Sequence, residues 1–261
     1  IVFIQEDLID FFQETLAERS EIKLPDFGDI FHLASIVGGR NLIDGDPILV
    51  AKDLAIDSIF FVWATRNKDK IERIMYASSS AAYPVHHQSK EKHIPLHEDL
   101  IKFEETIGKP DMTYGWSKLS GEYLSTLVAK HYGMHIACVR PFSGYGEDQD
   151  LSYPTPAIGF RIAKRENPVT VWGTGEQGRD FIHIDDCIDA MFVVLDNISD
   201  GRGVNIGTGA VLSFNDIIRT YARLEGYDPE IKSLIDKPVG VQSRYAHPEF
   251  ISKLGWKQKI G

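Results

Sequence analysis

Short apolar runs alternate with helix-patterned segments along most of this chain, and that alternation limits the fold more than any other feature. Residues 29–34 (DIFHLA), 73–78 (RIMYAS), 133–140 (GMHIACVR) and 204–207 (VNIG) read as buried strands. Between them, 53–66 and 114–131 read as helices; the second has Leu119, Tyr123 and Leu127 at helical spacing and Gly133 just past its end. Pro141 stops the third strand. Residues 185–195 are helical, and Ser213 with Asp216 makes a capping box for a last helix that runs to about residue 225. Strands separated by whole helices do not pair as hairpins, so the pattern predicts βαβ units and a parallel α/β sheet.

In a doubly wound sheet, ligands sit at the carboxyl ends of the strands. This directs attention to 35–39, 78–84 and 142–146. From about residue 144, Pro and Gly grow denser and the alternation weakens, which suggests a smaller, irregular C-terminal lobe. No internal repeat, low-complexity tract or Gly/Ser linker interrupts the chain.

Composition excludes several classes of function. The formal charge of −10 argues against a nucleic-acid binder that works by bulk charge. No apolar run approaches the ~18 residues of a membrane span, and the first ten residues carry acids where a secretory leader carries bases. Two cysteines, Cys138 and Cys187, without a CxxC, fit neither a disulfide framework nor a cysteine zinc site, and suit a reducing cytoplasm.

The strongest chemical signal is Tyr114-Gly-Trp-Ser-Lys118. Tyr and Lys at i and i+4 share a helix face. A free Tyr has a pKa near 10. A neighbouring ammonium favours the phenolate, so Tyr114 could take a proton from an alcohol while hydride leaves the same carbon. The same pair could equally be a surface Tyr–Lys contact. Ser78, Ser79 and Ser80 follow the second strand, where a hydroxyl can hold a substrate alcohol beside Tyr114. At least one of the three is expected only to terminate the strand or cap the next turn.

Seven motifs then occur in order: FHLAS at 31–35, YASSSAAYP at 76–84, YGWSK at 114–118, RPFSGYG at 140–146, WGTGEQGRDFIHIDD at 172–186, VNIGTG at 204–209 and LGW at 254–256. Together they resemble the extended short-chain dehydrogenase/reductase family of NAD-dependent nucleotide-sugar epimerases and dehydratases, over nearly the whole chain. Gly38-Gly39 and the YASS…YP pattern are most similar to the branch of GDP-mannose 3,5-epimerases and GDP-fucose synthases. The resemblance implies a Rossmann-like doubly wound parallel sheet that binds NAD over 1–143, with 181–206 returning to it. It implies a substrate-binding lobe from 144–180 and 207–261. It makes Ser79, Tyr114 and Lys118 catalytic, with Lys118 lowering the pKa of Tyr114 and holding the nicotinamide ribose. Asp7 and Leu8 would meet the adenine; Leu33, Ala34 and Ser35 would line the cofactor; Pro141 and Phe142 would lie beside the nicotinamide. Arg179 would clamp the sugar-nucleotide diphosphate, as its planar fork suits; the plainer reading pairs it with Asp180. Arg244 is a second clamp. Ser80 and Ser143 would contact substrate, Ser143 standing where many members have Asn. A homodimer through the helices at 53–66 and 115–131 is also implied.

Departures from the family pattern narrow the reaction. Dehydrating members carry an acidic pair just after the catalytic hydroxyl, and decarboxylating members a Glu; this chain has Ser80, Ala81 and Ala82. The 3,5-epimerases and fucose synthases place a Cys where Ala81 stands, and the epimerases a Lys in a loop that here, at 146–160, has none. Hydride removal at C4 of a GDP- or UDP-linked hexose remains. The product is a 4-epimer if the 4-keto sugar turns over and is reduced again. A C4 dehydrogenase, a 4-keto reductase, or an inactive sugar-nucleotide binding module are the alternatives.

Other residues read as structural. His32, His183 and Cys138 are expected in the core, Trp63, Phe60 and Phe61 in helix packing or a dimer face, and His86, His87, His93 and His97 in a solvated loop without zinc spacing. The loop 147–156, with Asp148, Asp150 and Tyr153, is a candidate sugar contact. The family's GxxGxxG fingerprint does not occur, and GGR at 38–40 and GTGEQG at 173–178 fall after later elements. The match at Asp7 places Ile1 near the end of a third strand, so roughly 50 to 60 further residues are expected upstream, at ~30 per βα unit. The segment that selects NAD over NADP would lie among them.

Overall fold

The computed structural model describes residues 3–90 and 93–261; Ile1, expected near a strand end, lies outside them. Asp7 caps the first helix, α1 (Leu8–Leu16), by accepting the amide hydrogens of Ile9 and Asp10. Strand β1 (Phe27–His32) is followed by the short helices α2 (Arg40–Gly45) and α3 (Pro47–Val50) and by α4 (Lys52–Arg66). Next come β2 (Ile71–Ala77), the long helix α5 (Met112–Tyr132) and β3 (His135–Pro141). Gly133, in the left-handed region at φ +67°, ends α5 where a side chain would be strained.

The chain continues through β4 (Ser143–Tyr145), α6 (Pro154–Ala163), β5 (Val169–Trp172), β6 (Gly178–Arg179) and β7 (Phe181–His183). Then follow α7 (Ile184–Asn197), β8 (Asp200–Ile206), β9 (Leu212–Ser213), α8 (Phe214–Leu224), β10 (Ile231–Leu234), β11 (Ser243–Arg244) and α9 (Glu249–Lys253). The capping box read at Ser213 and Asp216 is formed at the start of α8.

Among the described residues the main sheet has the order β1-β2-β3-β8, every pair parallel. The chain therefore has the parallel α/β sheet that the alternation predicts, in the Rossmann-like form that the resemblance implies. Period-two side chains bury both faces, as a parallel sheet requires. Ile74, Tyr76, Ile136 and Cys138 face α4 and α5, packed with Phe60, Phe61, Trp63, Val128 and, from α1, Phe12. Met75, Ala137, Val139, Val204 and Ile206 face α7, packed with Cys187, Ala190 and Val194. The α4 aromatics are thus core packing rather than an outer face. Ile251 on α9 and Trp256 join this second cluster, so the end of the chain returns to the sheet instead of staying with the lobe.

The lobe is built from smaller pairings: β10 with β5, β11-β6-β9, and β4 with β7. Its own apolar cluster joins Ile158 and Ile162 of α6 to Val169 and Val171 of β5 and Ile217 and Ile218 of α8. Fully buried Asp180 ties the lobe to the sheet's end by accepting the amide hydrogens of Thr208, Gly209 and Ala246. Among the described residues no helix is long and apolar enough to cross a membrane.

Candidate functional site

The carboxyl ends of β2 and β3 open onto a cleft of about 1070 Å³ that lies between the sheet and the lobe. Ser79 stands just past β2 and caps a single 3₁₀ turn, its Oγ accepting the amide hydrogen of Ala81 at 3.1 Å. The start of α5 is pinned to that turn. The Asp111 amide donates to the Ala81 carbonyl at 3.0 Å, and a β-carbon on Gly115 would stand 2.4 Å from the same oxygen. The glycine of the YGWSK motif therefore lets α5 lie close enough for the Tyr114 phenol to stand beside Ser79 in the cleft.

Burial pushes the Tyr114 phenol up to about 12, and the neighbouring Ser79 hydroxyl offsets only part of that rise. Desolvation dominates this shift, and the charges that act on the phenol include Arg244, which lowers it, and Asp53 and Asp57, which raise it. The Lys118 ammonium is buried one turn further along α5, 5.7 Å from the Tyr114 ring centroid, and donates to the Ala77 carbonyl at 3.1 Å.

The three serines have separate partners or positions. Ser78 donates to Glu122 at 2.5 Å, Ser79 meets Tyr114, and buried Ser80 lines the cleft. Glu122 also forms a bidentate pair with Arg140, at 2.9 and 2.7 Å, both side chains buried. Arg140 donates to the Tyr83 hydroxyl, which donates to Asn205. This satisfied network underlies the cleft floor and holds the YP tyrosine in place. Beside it, His32 bonds Asp57 at 2.9 Å and stacks on Phe60, as a core histidine should.

On the far wall, Arg179 and Arg244 are register partners on the parallel strands β6 and β11, so their side chains leave the same face side by side. Arg179 donates to the carbonyls of Gly178 and Val239. Asp180 is committed to the amides of the lobe and is not its partner, and among the described residues no ion pair joins Arg179 to a carboxylate. Burial, with Arg244 and Arg40 nearby, lowers the Arg179 pKa to about 9. Arg244 donates to Asp111 at 2.8 Å and to Gln88 at 2.5 Å.

Of the residues singled out in the sequence, Ser79, Ser80, Tyr114, Phe142, Ser143, Arg179 and Arg244 line this one cleft. Others lie outside its lining. Asp7 caps α1, Leu8 packs beside the α4 core, and Leu33 is exposed. Ala34 follows β1, Ser35 donates to buried Asp53 at 2.6 Å, and Pro141 ends β3 opposite Ile206. His183 is not a core residue: it accepts the Asp185 amide hydrogen at the start of α7 and stands at the cleft wall against Tyr145. In the loop 147–156, Asp148 and Tyr153 line the cleft, while Asp150 accepts the Ser152 amide hydrogen in a turn. Gln88, Asp111 and Arg40 were not anticipated; Gln88 and Asp111 meet Arg244 from 156 and 133 residues away along the chain, Arg40 meets Asp111 from 71 residues away, and no local pattern marks them. Among the described residues no group of three or more His, Cys, Asp or Glu is placed to hold a metal.

Comparison with known proteins agrees with this geometry. The profile of the family described as "NAD dependent epimerase/dehydratase family" matches residues 15–207. A GDP-L-fucose synthase of Sinorhizobium fredii is 26% identical over 72% of this chain, a stretch that spans only 61% of the synthase. A putative UDP-glucose 4-epimerase of Methanocaldococcus jannaschii is 28% identical over 99% of this chain and 79% of its own length. Among solved structures, a UDP-glucuronic acid 4-epimerase from Bacillus cereus, in complex with UDP-glucuronic acid and NAD, superposes with a TM-score of 0.80 at 26% identity, over 99% of this chain and 77% of that one.

Proposed function

The chain belongs to the NAD dependent epimerase/dehydratase family, and on that premise we propose that its cleft is the active site of a nucleotide-sugar 4-epimerase acting at C4 of a GDP- or UDP-linked hexose. The observation that carries this reading is the placing of the Ser79 hydroxyl and the Tyr114 phenol side by side in the cleft, with Ser80, Ala81 and Ala82 offering no carboxyl beside them. A hydroxyl and a phenol suffice for proton transfer at an alcohol. Dehydration or decarboxylation would call for an acidic side chain in that same turn.

In the proposed reaction, Ser79 holds the C4 hydroxyl and Tyr114 takes its proton as C4 becomes a carbonyl. NAD, when bound, supplies the hydride acceptor and a positive ring charge that lowers the Tyr114 pKa. Once the 4-keto sugar presents its other face, the same hydride would return to C4 as Tyr114 returns the proton to the C4 oxygen, giving the inverted alcohol and regenerating the oxidised NAD. The residues present suit a dinucleotide. Lys118 bonds one carbonyl and keeps further N–H donors for a ribose, Phe142 offers an apolar wall, and Leu33, Ala34, Ser35 and Pro141 stand at strand ends. Asp7 and Leu8, at the start of α1, would meet the adenine.

Arg179 and Arg244 are proposed to hold the diphosphate, since paired guanidiniums bind such groups bidentately. Ser80 and Ser143 would contact the sugar. The sheet would carry NAD and the lobe the nucleotide sugar. A homodimer through α4 and α5, where Val62, Trp116 and Tyr123 are exposed, completes the proposal. Incubation with GDP- and UDP-hexoses, followed by mass and stereochemical analysis, tests it. Unchanged mass with inverted C4 supports the epimerase. Loss of two hydrogens indicates a dehydrogenase instead, and tight binding without turnover a binding module.

A further inference from the structure

Asp111 occupies the capping position of α5, yet its carboxylate accepts no amide hydrogen from that helix. It is committed instead to two guanidiniums from different parts of the cleft wall. Arg40 Nη1 donates to both carboxylate oxygens, at 3.1 and 3.0 Å, and Arg244 Nη2 donates to Oδ2 at 2.8 Å. Met112, the next residue, takes the left-handed backbone at φ +55°, an unfavourable geometry for a side chain that persists where surrounding contacts impose it. Arg40 also bonds Asp44 at 2.7 Å, and fully buried Gln88 holds Nε of Arg244.

The charges around this carboxylate are unequal. Arg40, Arg179 and Arg244 bring three positive charges, against two negative ones from Asp44 and Asp111. A nucleoside diphosphate ester brings two more negative charges. Arg179 answers one of them. The other is answered only if Arg244 turns from Asp111 to the phosphate. That exchange would strand Asp111, whose side chain is 9% exposed, if Arg40 were not already bound to it.

We propose that Asp111 is a shared counter-ion that Arg244 leaves for the substrate diphosphate while Arg40 keeps it neutralised, so that Arg40 and Asp111 are positioning residues for diphosphate binding. The proposal rests on reading the cleft as a nucleotide-sugar site. It assigns Arg40 a task that its sequence context does not suggest, and it makes a specific prediction about a pair of substitutions.

Titration calorimetry with UDP, GDP, UMP and GMP tests it on five proteins: the unaltered chain, Arg40→Gln, Arg40→Lys, Asp111→Asn and the double variant Arg40→Gln/Asp111→Asn. With Arg40→Gln, Asp111 retains Arg244, and UDP or GDP should bind tenfold or more weakly, with a smaller loss for the monophosphates. In the double variant Arg244 is released, and binding should recover to within a few-fold of the unaltered chain. Arg40→Lys, which keeps the charge but loses the guanidinium fork, should bind more tightly than Arg40→Gln and more weakly than the unaltered chain. Folding damage from Arg40→Gln would not be reversed by Asp111→Asn, so recovery separates positioning from structural support. Equal affinity of Arg40→Gln and the unaltered chain would overturn the proposal, as would a double variant no tighter than Arg40→Gln. An unaltered chain that binds neither UDP nor GDP would sink the reading of the cleft and this proposal with it.

Discussion

Gly115 lies against the carbonyl oxygen of Ala81 with room for a hydrogen and nothing larger: a β-carbon there would stand 2.4 Å from that oxygen. Backbone sets both sides of this contact, so neither can swing away as a side chain would. The distance between the Ser79 turn and the first turn of α5 therefore depends on the absence of one methyl group. Tyr114, the residue before Gly115, is carried by the same turn.

Gly115→Ala should push α5 off the Ser79 turn and move the Tyr114 phenol away from Ser79. Overpacking of this kind costs about 1–3 kcal/mol, readable in urea melts. Turnover should fall more steeply than stability, by about tenfold or more, because a small misplacement of a proton-transfer group is costly. A variant that loses stability but turns over normally would show that the contact serves packing alone.

The buried pair Glu122–Arg140 supports a second prediction. Glu122 takes two bonds from Arg140 and one from Ser78, and both partners of the ion pair are nearly inaccessible. Glu122→Ala leaves a buried guanidinium uncompensated, which costs about 3–5 kcal/mol. Chemical denaturation should show that loss. A change below about 1 kcal/mol would mean that water reaches Arg140 and compensates it.

A third prediction follows from Arg179. Burial and two neighbouring guanidiniums lower its pKa to about 9. A bound diphosphate favours the charged form and raises that pKa again. Near pH 7 the group is protonated with or without ligand, so binding should take up no proton. Near pH 9 the free protein has lost about half a proton there and a diphosphate should draw it back. Calorimetry in buffers of different ionisation enthalpy reads the uptake directly. Uptake that is the same at pH 7 and pH 9 would contradict the assignment, and Arg179→Met should abolish the difference.

Local patterns made much of this legible. The strands at β1, β2, β3 and β8 are short apolar runs, and the chemistry follows each of them, so Ser79 and Tyr114 could be found from a few adjacent residues. The long-range cluster could not be. Arg40, Gln88, Asp111 and Arg244 belong to four separate segments, and only packing brings them together. His183 misled for a related reason. Flanked by Ile182 and Ile184 it looks like a strand residue with a buried side chain, yet it sits where β7 hands over to α7 and its ring caps the helix. The Tyr114 pKa shows the same limit. A Lys four residues away is visible in sequence, whereas the burial that raises the phenol's pKa depends on the whole cleft.

The central claim is that the Tyr114 hydroxyl carries the proton at C4, and Tyr114→Phe removes that oxygen while keeping the ring. Conversion of a GDP- or UDP-hexose should fall by about 10²–10⁴-fold, the usual worth of a positioned acid–base group. Affinity for the same nucleotide sugar should stay within a few-fold, because Arg179 and Arg244 are untouched. Turnover that persisted within a few-fold of the unaltered chain would contradict the account.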